Sequence, residues 1–339
     1  MPTILFLPLA ATFAAGLAVA LLTGPVRALL IRSGVYDAPN ARSSHTQLKP
    51  RGGGIALLAV VLPVWLAAAW GWGDVAAALP LMALTAGLAA LSLVDDVRGL
   101  HPALRFPAQI VAVGFGLWAL DLAPVFQGWL PGWLDLALAA LAWLWFVNLY
   151  NFMDGIDGIT GVETLAIGLG LGLVGLLQAG GAPAASSAVV PWLLAGAAAG
   201  FLAWNWAPSK IFLGDVGSVP LGFLLGALLL QAAANGYWAP ALILPAYYLL
   251  DATVTLLRRA ARGEKVWRPH REHAYQRAVQ AGLGHGAVAG RIGGLNAALV
   301  VCALWGSQAN AAAALMLAYA LAFGLWLWFQ RTEPKRHAP

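Results

Sequence analysis

Charged residues are scarce in this sequence. Of its 339 residues, only 10% are Asp, Glu, Lys or Arg and 61% are hydrophobic, whereas a soluble domain typically has about 25% charged residues. No long polar segment interrupts the chain, which argues against a separate soluble domain. Cysteine is nearly absent too: Cys302 stands alone in an apolar run, which excludes a disulfide framework. We expect Cys302 to be a small residue facing lipid or a neighbouring helix.

Apolar runs long enough to cross a membrane take up most of the chain. They predict an all-α integral membrane protein with about 11 transmembrane helices, organised as one domain over residues 1–339. The first run has no Lys or Arg before Arg27, so we expect a retained helix rather than a cleaved signal peptide. The runs cover residues 3–23, 53–71, 75–94, 106–122, 133–149, 159–179, 187–204, 218–234, 239–257, 288–306 and 309–330.

The basic residues fall on one side of this arrangement. With the N-terminus outside, all 19 Lys and Arg residues lie in inside loops or at their helix ends, and the outside loops carry only Asp74, Asp121 and Asp135 as charged residues. The positive-inside rule then predicts an N-out, C-in orientation. Because the basic residues form no contiguous patch, nucleic-acid binding is not expected. The inside loops are 24–52, 95–105, 150–158, 205–217, 258–287 and the tail from Arg331.

Many other polar side chains lie at the same inside boundary. Ionisable groups next to a membrane are unfavourable and usually face a bundle interior or a site, so we predict that these residues converge. They are His45, Lys49 and Arg51 before the second run, Asp95 and Asp96 after the third, Asn148, Asn151, Asp154 and Asp157 after the fifth, Asn205 after the seventh, Asp215 before the eighth, and His270 and His273 in the 258–287 loop.

This set of side chains favours a hard divalent cation. Several carboxylates and an amide, without thiolates and with few histidines, suit Mg²⁺ or Mn²⁺ better than zinc. Neighbouring Lys, Arg and His residues and glycine-rich turns offer hydrogen-bond donors to phosphate oxygens. We therefore expect metal-assisted phosphoryl transfer to or from a lipid.

The carboxylates also have structural interpretations. Asp95 and Asp96 could form a polar helix end, although adjacent carboxylates near a low dielectric favour a bound cation. Asp154 and Asp157 could belong to a turn and a helix cap, and Asp215 could cap the eighth helix. The sequence favours a functional role for Asp95, Asp96 and Asp215 over these structural ones.

Further features stay open at this level. Phe212 is either an interface aromatic or a base-stacking platform, and Asp251 either pairs with a neighbouring helix or joins the site. The stretch "PRGGG" is either a flexible lead into the second helix or part of the site. Gly155 and Gly158 are expected to break the helix after the fifth run, so that the polar residues around them converge.

Five stretches together carry a family resemblance: "SSHTQLKPRGGG", "LVDDVRGL", "NFMDGIDGITG", "FLGDVGSVPLGF" and "HREHAYQRA", in this order. Over nearly the whole chain they resemble the polyprenyl-phosphate N-acetylhexosamine-1-phosphate transferase family, glycosyltransferase family four. The resemblance implies transfer of a sugar-1-phosphate from a UDP-N-acetylhexosamine to undecaprenyl phosphate, with release of UMP. It also implies a multi-pass protein of the bacterial inner membrane with its active site on the cytoplasmic face. A homodimer is left open.

The resemblance assigns roles to individual residues. Asp215 matches the metal-binding aspartate, and Asn151 matches an amide near the metal. Asp95 and Asp96 match the paired aspartates that orient or deprotonate the lipid phosphate, and His273 is the further catalytic candidate. The residues expected to contact the substrates, some of them near the uridine, are His45, Arg51, Asn151, Asp154, Asp157, Gly158, Asn205, Phe212, His270 and Arg271.

The histidine loop departs from one branch of the family. The branch that makes the first lipid intermediate of peptidoglycan has consecutive histidines there, whereas this chain reads "HREHAYQ". The difference favours initiation of O-antigen or a related surface polysaccharide, with a 6-deoxy-N-acetylhexosamine among the candidate sugars. A phospho-MurNAc-pentapeptide transferase is the alternative within the family. A secondary transporter is the alternative of another class, although no paired repeat is evident.

Overall fold

A computed structural model describes residues 2–37, 48–178, 186–266 and 270–332. The described chain is mostly helical, which confirms the all-α fold, and His45 lies outside the described residues. The helices are α1 (Pro2–Arg32), α2 (Gly54–Trp72), α3 (Val75–Arg98), α4 (Pro102–Leu120), α5 (Gly132–Phe152), α6 (Ile159–Gln178), α7 (Val190–Asn205), α8 (Asp215–Ala234), α9 (Trp238–Ile243), α10 (Ala246–Ala261), α11 (Ala274–Gln280), α12 (His285–Gln308) and α13 (Ala311–Arg331). Two short strands are β1 (Tyr36–Asp37) and β2 (Lys49–Pro50).

Ten helices of the described chain are long and apolar enough to cross a membrane. The ninth predicted run differs, because it forms two short helices, α9 and α10, that meet at Leu244 and Pro245. Pro245 has no N–H to donate to the preceding turn, and its ring crowds the carbonyl four residues earlier. The prediction of an integral membrane protein is confirmed, with the ninth run broken rather than continuous.

α8 lies at the centre of the bundle. It packs against α2, α3 and α5, and nearly all its side chains are buried. Trp143 of α5 stacks on Phe223 with ring centroids 4.7 Å apart, and its Nε1–H donates to the Phe223 carbonyl at 2.8 Å. Such contacts fix α8 along its length, and with it the position of Asp215 at its start.

α7 is held by close backbone contact with α1. A Cβ added at Gly200 would lie 2.0 Å from the Gly16 carbonyl oxygen, and one added at Gly196 would lie 2.0 Å from that of Thr12. Small residues permit this approach between helices in a membrane. The end of α7 at which Asn205 lies is thereby fixed against α1.

A short strand arrangement, which the sequence did not predict, organises the "PRGGG" stretch. β1 and β2 pair in antiparallel fashion, and the next residue, Arg51, forms a parallel bridge with Phe212. The N–H groups of Gly52 and Gly53 donate to the Phe212 carbonyl at 3.1 and 2.8 Å. A Cβ at Gly54 would lie 2.2 Å from the backbone of α8. The stretch is therefore packed between strand and helix rather than being a flexible lead.

Candidate active site

The end of α3 and the start of α8, both on the predicted inside, meet at Asp96. Its carboxylate accepts the backbone N–H of Asp215 at 3.1 Å and that of Val216 at 2.9 Å. These N–H groups belong to the first turn of α8, where no partner exists within the helix. Asp215 is thus the first helical residue, whereas the N-cap position is Gly214. The capping function considered for Asp215 is carried out by Asp96.

Arg51 joins the two carboxylates. Its Nε lies 2.8 Å from Asp96 and its Nη2 lies 2.6 Å from Asp215. Burial opposes the charged guanidinium, but Asp215 and Asp96 outweigh burial and hold the pKa of Arg51 above its usual value. Gly214 adopts a φ of +77°, and a Cβ there would lie 2.7 Å from the Asp96 carboxylate. Glycine is therefore required at this close approach.

Arg105, in the first turns of α4, supplies a second cation. It forms ion pairs with Asp95 and Asp215, the latter at 3.2 Å. Asp95 also accepts the Leu100 N–H at 2.6 Å, which ties the turn after α3 to the helix end. Asp95 therefore has a structural contact as well as a charged partner in the site.

A cavity of about 170 Å³ opens beside these groups. The Asp96 side chain is 0% exposed, whereas Asp95 lines the cavity together with Asp215. Of the predicted aspartate pair, it is thus Asp95 that faces the open space. The polar residues of the lining are Ser92, Asp95, Arg105, Gln109, Asn148, Asn151 and Asp215.

The oxygen donors of the cavity fit a hard divalent cation. Asp215 is 17% exposed. Asn151 donates its Nδ2 to Ser218 at 2.9 Å, so its amide oxygen is left for a ligand. In the part of the chain that the structure describes, no three His, Cys, Asp or Glu residues cluster as a ready metal cage. Mg²⁺ needs only one or two protein carboxylates and completes its shell with water and substrate phosphates.

A second polar group surrounds Asp157. Its carboxylate accepts the Ser209 N–H at 3.0 Å and the Ser209 hydroxyl at 2.7 Å, and Lys49 Nζ and His285 Nδ1 each lie 3.4 Å away. Burial alone would raise the pKa of Asp157, but the bonds from His285 and Ser209 and the charge of Lys49 lower it well below its usual value. Lys49 also lies 5.1 Å from the centroid of the Phe212 ring. Asp157 is therefore held as an anion beside an aromatic face.

Asn205 holds two loops of the site together. Its Oδ1 accepts the Gly158 N–H at 3.0 Å, and its Nδ2 donates to the Ile211 carbonyl at 2.9 Å. Gly158 has a φ of +82°, which favours glycine. These two residues, predicted to contact the substrates, are thus engaged in shaping the loops that carry Asp157 and Phe212.

The predicted helix break after the fifth run is confirmed. α5 ends at Phe152 and α6 begins at Ile159. Between them, Asp154 accepts the Thr160 hydroxyl at 2.6 Å, and burial raises the pKa of Asp154 to about 7. A Cβ at Gly155 would lie 2.2 Å from the Tyr275 hydroxyl, so glycine lets α11 pack directly on this loop.

Asp251, in α10, bonds to the start of α11 and is not among the residues that line the cavity. Its carboxylate accepts the N–H of Ala274 at 2.8 Å and that of Tyr275 at 3.4 Å, and it also accepts Nε1–H of Trp326, from α13, at 3.3 Å. His273, the predicted catalytic histidine, is buried with its Nδ1 3.8 Å from Asp251. The open question about Asp251 is answered, because it pairs with neighbouring elements.

His270 packs on this buried histidine. The ring centroids of His270 and His273 are 4.8 Å apart. Burial, His273 and Arg259 together lower the pKa of His270 to about 4, so His270 is neutral at physiological pH. The Arg271 carbonyl accepts Gln280 Nε2 at 2.8 Å, which fixes its backbone against α11. The predicted loop 258–287 therefore contains an ordered helix together with the ends of α10 and α12.

Three residues of these groups, Arg105, Ser209 and His285, were not predicted to join the site, whereas Lys49 was predicted to converge with its polar residues. Arg105 could have been found, because it is a basic residue at the predicted inside boundary. Ser209 and His285 carried no signal, since a serine in "APSK" and a lone histidine in "LGHG" match no spacing that chemistry requires. Only the folded chain brings these two residues to Asp157.

Comparison with known proteins points to one family. The family described as Glycosyl transferase family 4 matches residues 78–233, the segment that contains Asp95, Asp96, Asn151, Asp157 and Asp215. The chain is 32% identical over 296 residues to the decaprenyl-phosphate N-acetylglucosaminephosphotransferase of Mycolicibacterium smegmatis, covering 78% of this chain and 73% of that relative.

Two other relatives widen this picture. A probable undecaprenyl-phosphate N-acetylglucosaminyl 1-phosphate transferase of Bacillus subtilis is 27% identical over 282 residues, covering 79% of this chain and 76% of the relative. A phospho-N-acetylmuramoyl-pentapeptide-transferase of Moorella thermoacetica is 30% identical over 203 residues, covering 53% of this chain and 60% of the relative. The chain is thus similar both to polyprenyl-phosphate N-acetylglucosamine phosphotransferases and to a phospho-N-acetylmuramoyl-pentapeptide-transferase.

Proposed function

Because this chain belongs to glycosyl transferase family 4, we propose that it transfers an N-acetylhexosamine-1-phosphate from a UDP-sugar to undecaprenyl phosphate, releasing UMP. The observation that carries the proposal is the pairing of Asp215 with Arg51 and Arg105 at a cavity. The Asp157 group is linked to this pairing through the chain at β2, because Lys49, which contacts Asp157, lies two residues before Arg51. The end of the site at Asp157 thus suits the base and ribose of a nucleotide, and the end at Asp215 suits its phosphates.

The nucleotide is proposed to lie by Asp157, Lys49 and Phe212. A carboxylate that stays ionised can accept hydrogen bonds from a base or ribose, and the Phe212 ring offers a stacking face. The diphosphate then extends towards Arg51 and Arg105, whose guanidinium groups bind phosphate oxygens in bidentate fashion.

Asp215 and Asn151 are the residues proposed to hold Mg²⁺, or Mn²⁺. When bound, the cation supplies charge neutralisation for the diphosphate and the departing UMP. The arginines beside Asp215 would then pair with substrate phosphates instead of the carboxylate. Asp96 keeps the start of α8 in place throughout, since its contacts are to the backbone N–H groups.

The acceptor phosphate is proposed to enter the cavity beside Asp95 and Arg105. Arg105 orients the phosphate, and Asp95 orients or deprotonates it. An oxygen of the lipid phosphate attacks the β-phosphorus of the UDP-sugar in line, the bond from that phosphorus to the bridging oxygen breaks, and UMP leaves with that oxygen. The product is a polyprenyl-diphosphate-linked sugar.

The product suits the start of a surface glycan, and we propose O-antigen or a related polysaccharide. The "HREHAYQ" loop supports this branch over peptidoglycan synthesis, and a 6-deoxy-N-acetylhexosamine is a candidate sugar beside N-acetylglucosamine. With the basic residues inside, the protein is proposed to reside in the bacterial inner membrane with this site facing the cytoplasm.

The test is UMP release by the purified protein with undecaprenyl phosphate and Mg²⁺. The donors offered are UDP-N-acetylglucosamine, UDP-N-acetylgalactosamine, a UDP-6-deoxy-N-acetylhexosamine and UDP-MurNAc-pentapeptide. We expect turnover with an N-acetylhexosamine donor and none with the pentapeptide. Absence of UMP release from every donor would refute the transfer, and uptake of a donor into vesicles without turnover would support the transporter alternative.

Asp215→Ala tests the metal assignment in the same assay. We expect UMP release below about a hundredth of the wild-type rate, because the cation loses its carboxylate ligand. Asp121→Asn, at the opposite end of the bundle, is the control and should retain activity. Wild-type turnover by Asp215→Ala would show that the metal is held elsewhere.

A further inference from the structure

His285 is the first residue of α12, and the proposed reaction gives it no task. Its Nδ1 lies 3.4 Å from Asp157 Oδ2 and 3.4 Å from the Asp157 backbone nitrogen. With a proton on Nδ1 the ring donates to Oδ2, and without one Nδ1 accepts the backbone N–H. The side chain and the backbone of Asp157 thus both approach Nδ1 of His285. The histidine comes from the C-terminal third of the chain, whereas Lys49 and Ser209 reach Asp157 from other elements.

The contacts on the Asp157 carboxylate are unevenly divided. Oδ2 is approached by the Ser209 N–H at 3.0 Å, by Lys49 Nζ at 3.4 Å and by His285 Nδ1 at 3.4 Å. Oδ1 accepts the Ser209 hydroxyl at 2.7 Å. A carboxylate oxygen has about two lone pairs, so Oδ1 is the atom with capacity for a ligand. Fixing Oδ2 sets the direction in which Oδ1 is presented.

The position of His285 is set by glycines that pack on Trp206. A Cβ at Gly158 would lie 3.2 Å from the Trp206 ring, and one at Gly290 would lie 4.0 Å from the same ring. One at Gly286 would lie 3.8 Å from Nε1 of Trp206. The indole therefore packs against both the Asp157 loop and the first turns of α12. Because both surfaces rest on one rigid ring, His285 meets Asp157 in a defined geometry.

We propose that His285 is a positioning residue for the nucleotide subsite, holding Asp157 Oδ2 so that Oδ1 faces the uridine. This rests on the proposed function, which places the nucleotide at Asp157. His285 acts through Asp157 and need not touch the substrate. Its loss should weaken nucleotide binding and raise KM for the UDP-sugar, while kcat, which depends on the groups around Asp215, changes little.

The experiment measures binding of radiolabelled UMP to the purified full-length protein. His285→Leu removes the contact, and we expect about a tenfold weaker Kd, within the coupling range of side chains in contact. His285→Asn places an amide near the site of Nδ1 and should recover binding to within about threefold. Thermal denaturation without ligand, compared between the two variants, identifies any general folding defect.

Combination with Asp157→Asn separates positioning from a direct contact. If His285 acts through Asp157, His285→Leu should add less than about twofold to the effect of Asp157→Asn alone. The proposal would be overturned if the losses of UMP affinity from the two substitutions multiplied independently. It would also be overturned if His285→Leu bound UMP as tightly as the wild type. Failure of the wild-type protein to bind UMP would instead refute the donor assignment, and the positioning role with it.

Discussion

Asp95 and Asp96 are neighbours in the sequence, yet their carboxylates meet different partners. Asp96 is buried against the backbone of α8 and Arg51, whereas Asp95 lines the cavity and pairs with Arg105. Successive residues of a helix point about 100° apart, so the two cannot share one function. The arrangement favours Asp95 as the group that meets the acceptor phosphate and Asp96 as the group that fixes Asp215.

Asp96→Asn tests this division. An amide offers one oxygen in place of two and turns an N–H₂ group towards donors, so the first turn of α8 loses an acceptor. We expect the free energy of unfolding to fall by about 1–3 kcal/mol and UMP release to fall with it. Denaturation in mixed micelles measures the first quantity. Asp121→Asn should stay within about 0.5 kcal/mol of wild type, and equal effects of the two changes would contradict the role of Asp96.

His270 makes the protein sensitive to acid. Its pKa is lowered to about 4 in the folded state, whereas an unfolded histidine titrates near about 6.5. Between these values the unfolded chain binds a proton that the folded chain does not. The stability from neutral His270 is therefore fully present above about pH 6.5 and is lost as the pH falls towards about 4.

His270→Gln should reduce this acid response. The neutral side chain takes no proton in either state, so the midpoint of thermal denaturation should fall less between pH 7.5 and pH 5 than it does in the wild type. Melting curves of both proteins in detergent at the two pH values provide the measurement. An equal fall in both would assign the acid sensitivity to other groups.

At the scale of single residues, the sequence identified the polar groups but not their partners. Asp95 and Asp96 differ in the burial of their side chains and not in residue type. That burial depends on how α3 is rotated against α8. Asp251 likewise lies inside an apolar run and caps a helix that begins 23 residues later. Such pairings depend on tertiary packing, which no local spacing encodes.

Among the elements, α11 depends on an acceptor from outside its own sequence. Its first N–H groups bond to Asp251 of α10, and the cap position His273 offers no side-chain bond. Tyr275 then donates its hydroxyl to the Phe152 carbonyl at 3.2 Å. A short helix is marginal in isolation, so α11 holds its place through these contacts.

Asp251→Ala should loosen α11. Two buried backbone N–H groups lose their acceptor, which costs about 1–3 kcal/mol each. Amide hydrogen exchange at Ala274 and Tyr275 should accelerate, and UMP release should fall because Tyr275 no longer supports the loop after α5. Thr255→Ala removes a hydroxyl that donates to Asp251 but keeps both backbone bonds, so its exchange should stay near wild type. Equal acceleration in both variants would contradict the capping role.

The broken ninth run shows the limit of prediction for elements. Pro245 ends a helix, whereas Pro63, Pro80, Pro107 and Pro220 lie inside α2, α3, α4 and α8. Proline is tolerated in membrane helices when neighbouring groups satisfy the freed carbonyl. Whether proline breaks a helix is therefore decided by its neighbours. Hydropathy correctly located the runs and could not foresee this break.

For the whole molecule, the inside ends of α3, α5, α7, α8 and α12 surround one region, as the shared boundary of the polar residues predicted. The orientation of that region is a separate prediction, which depends on the basic residues alone. The chain suits a direct test, because Cys302 is its one cysteine and is buried.

Single cysteines in a Cys302→Ser background test the orientation. Ser33 follows α1 at the predicted inside, Ala309 separates α12 from α13 at the predicted outside, and both are exposed. We expect a membrane-impermeant maleimide to label Ala309→Cys in intact spheroplasts and Ser33→Cys only after permeabilisation. The reverse pattern would place the site on the outer face and refute the cytoplasmic assignment.

The bond from Trp326 to Asp251 has a consequence for how the protein is made. Trp326 lies in the last helix, so the support of α11, and through Tyr275 that of the loop after α5, is completed only when the final helix enters the membrane. A chain that stops before α13 would lack this bond, although the contacts of α11 with Asp251 and Phe152 come from earlier segments. The order in which the chain is made therefore leaves the last contact on the α11 cap to the final helix.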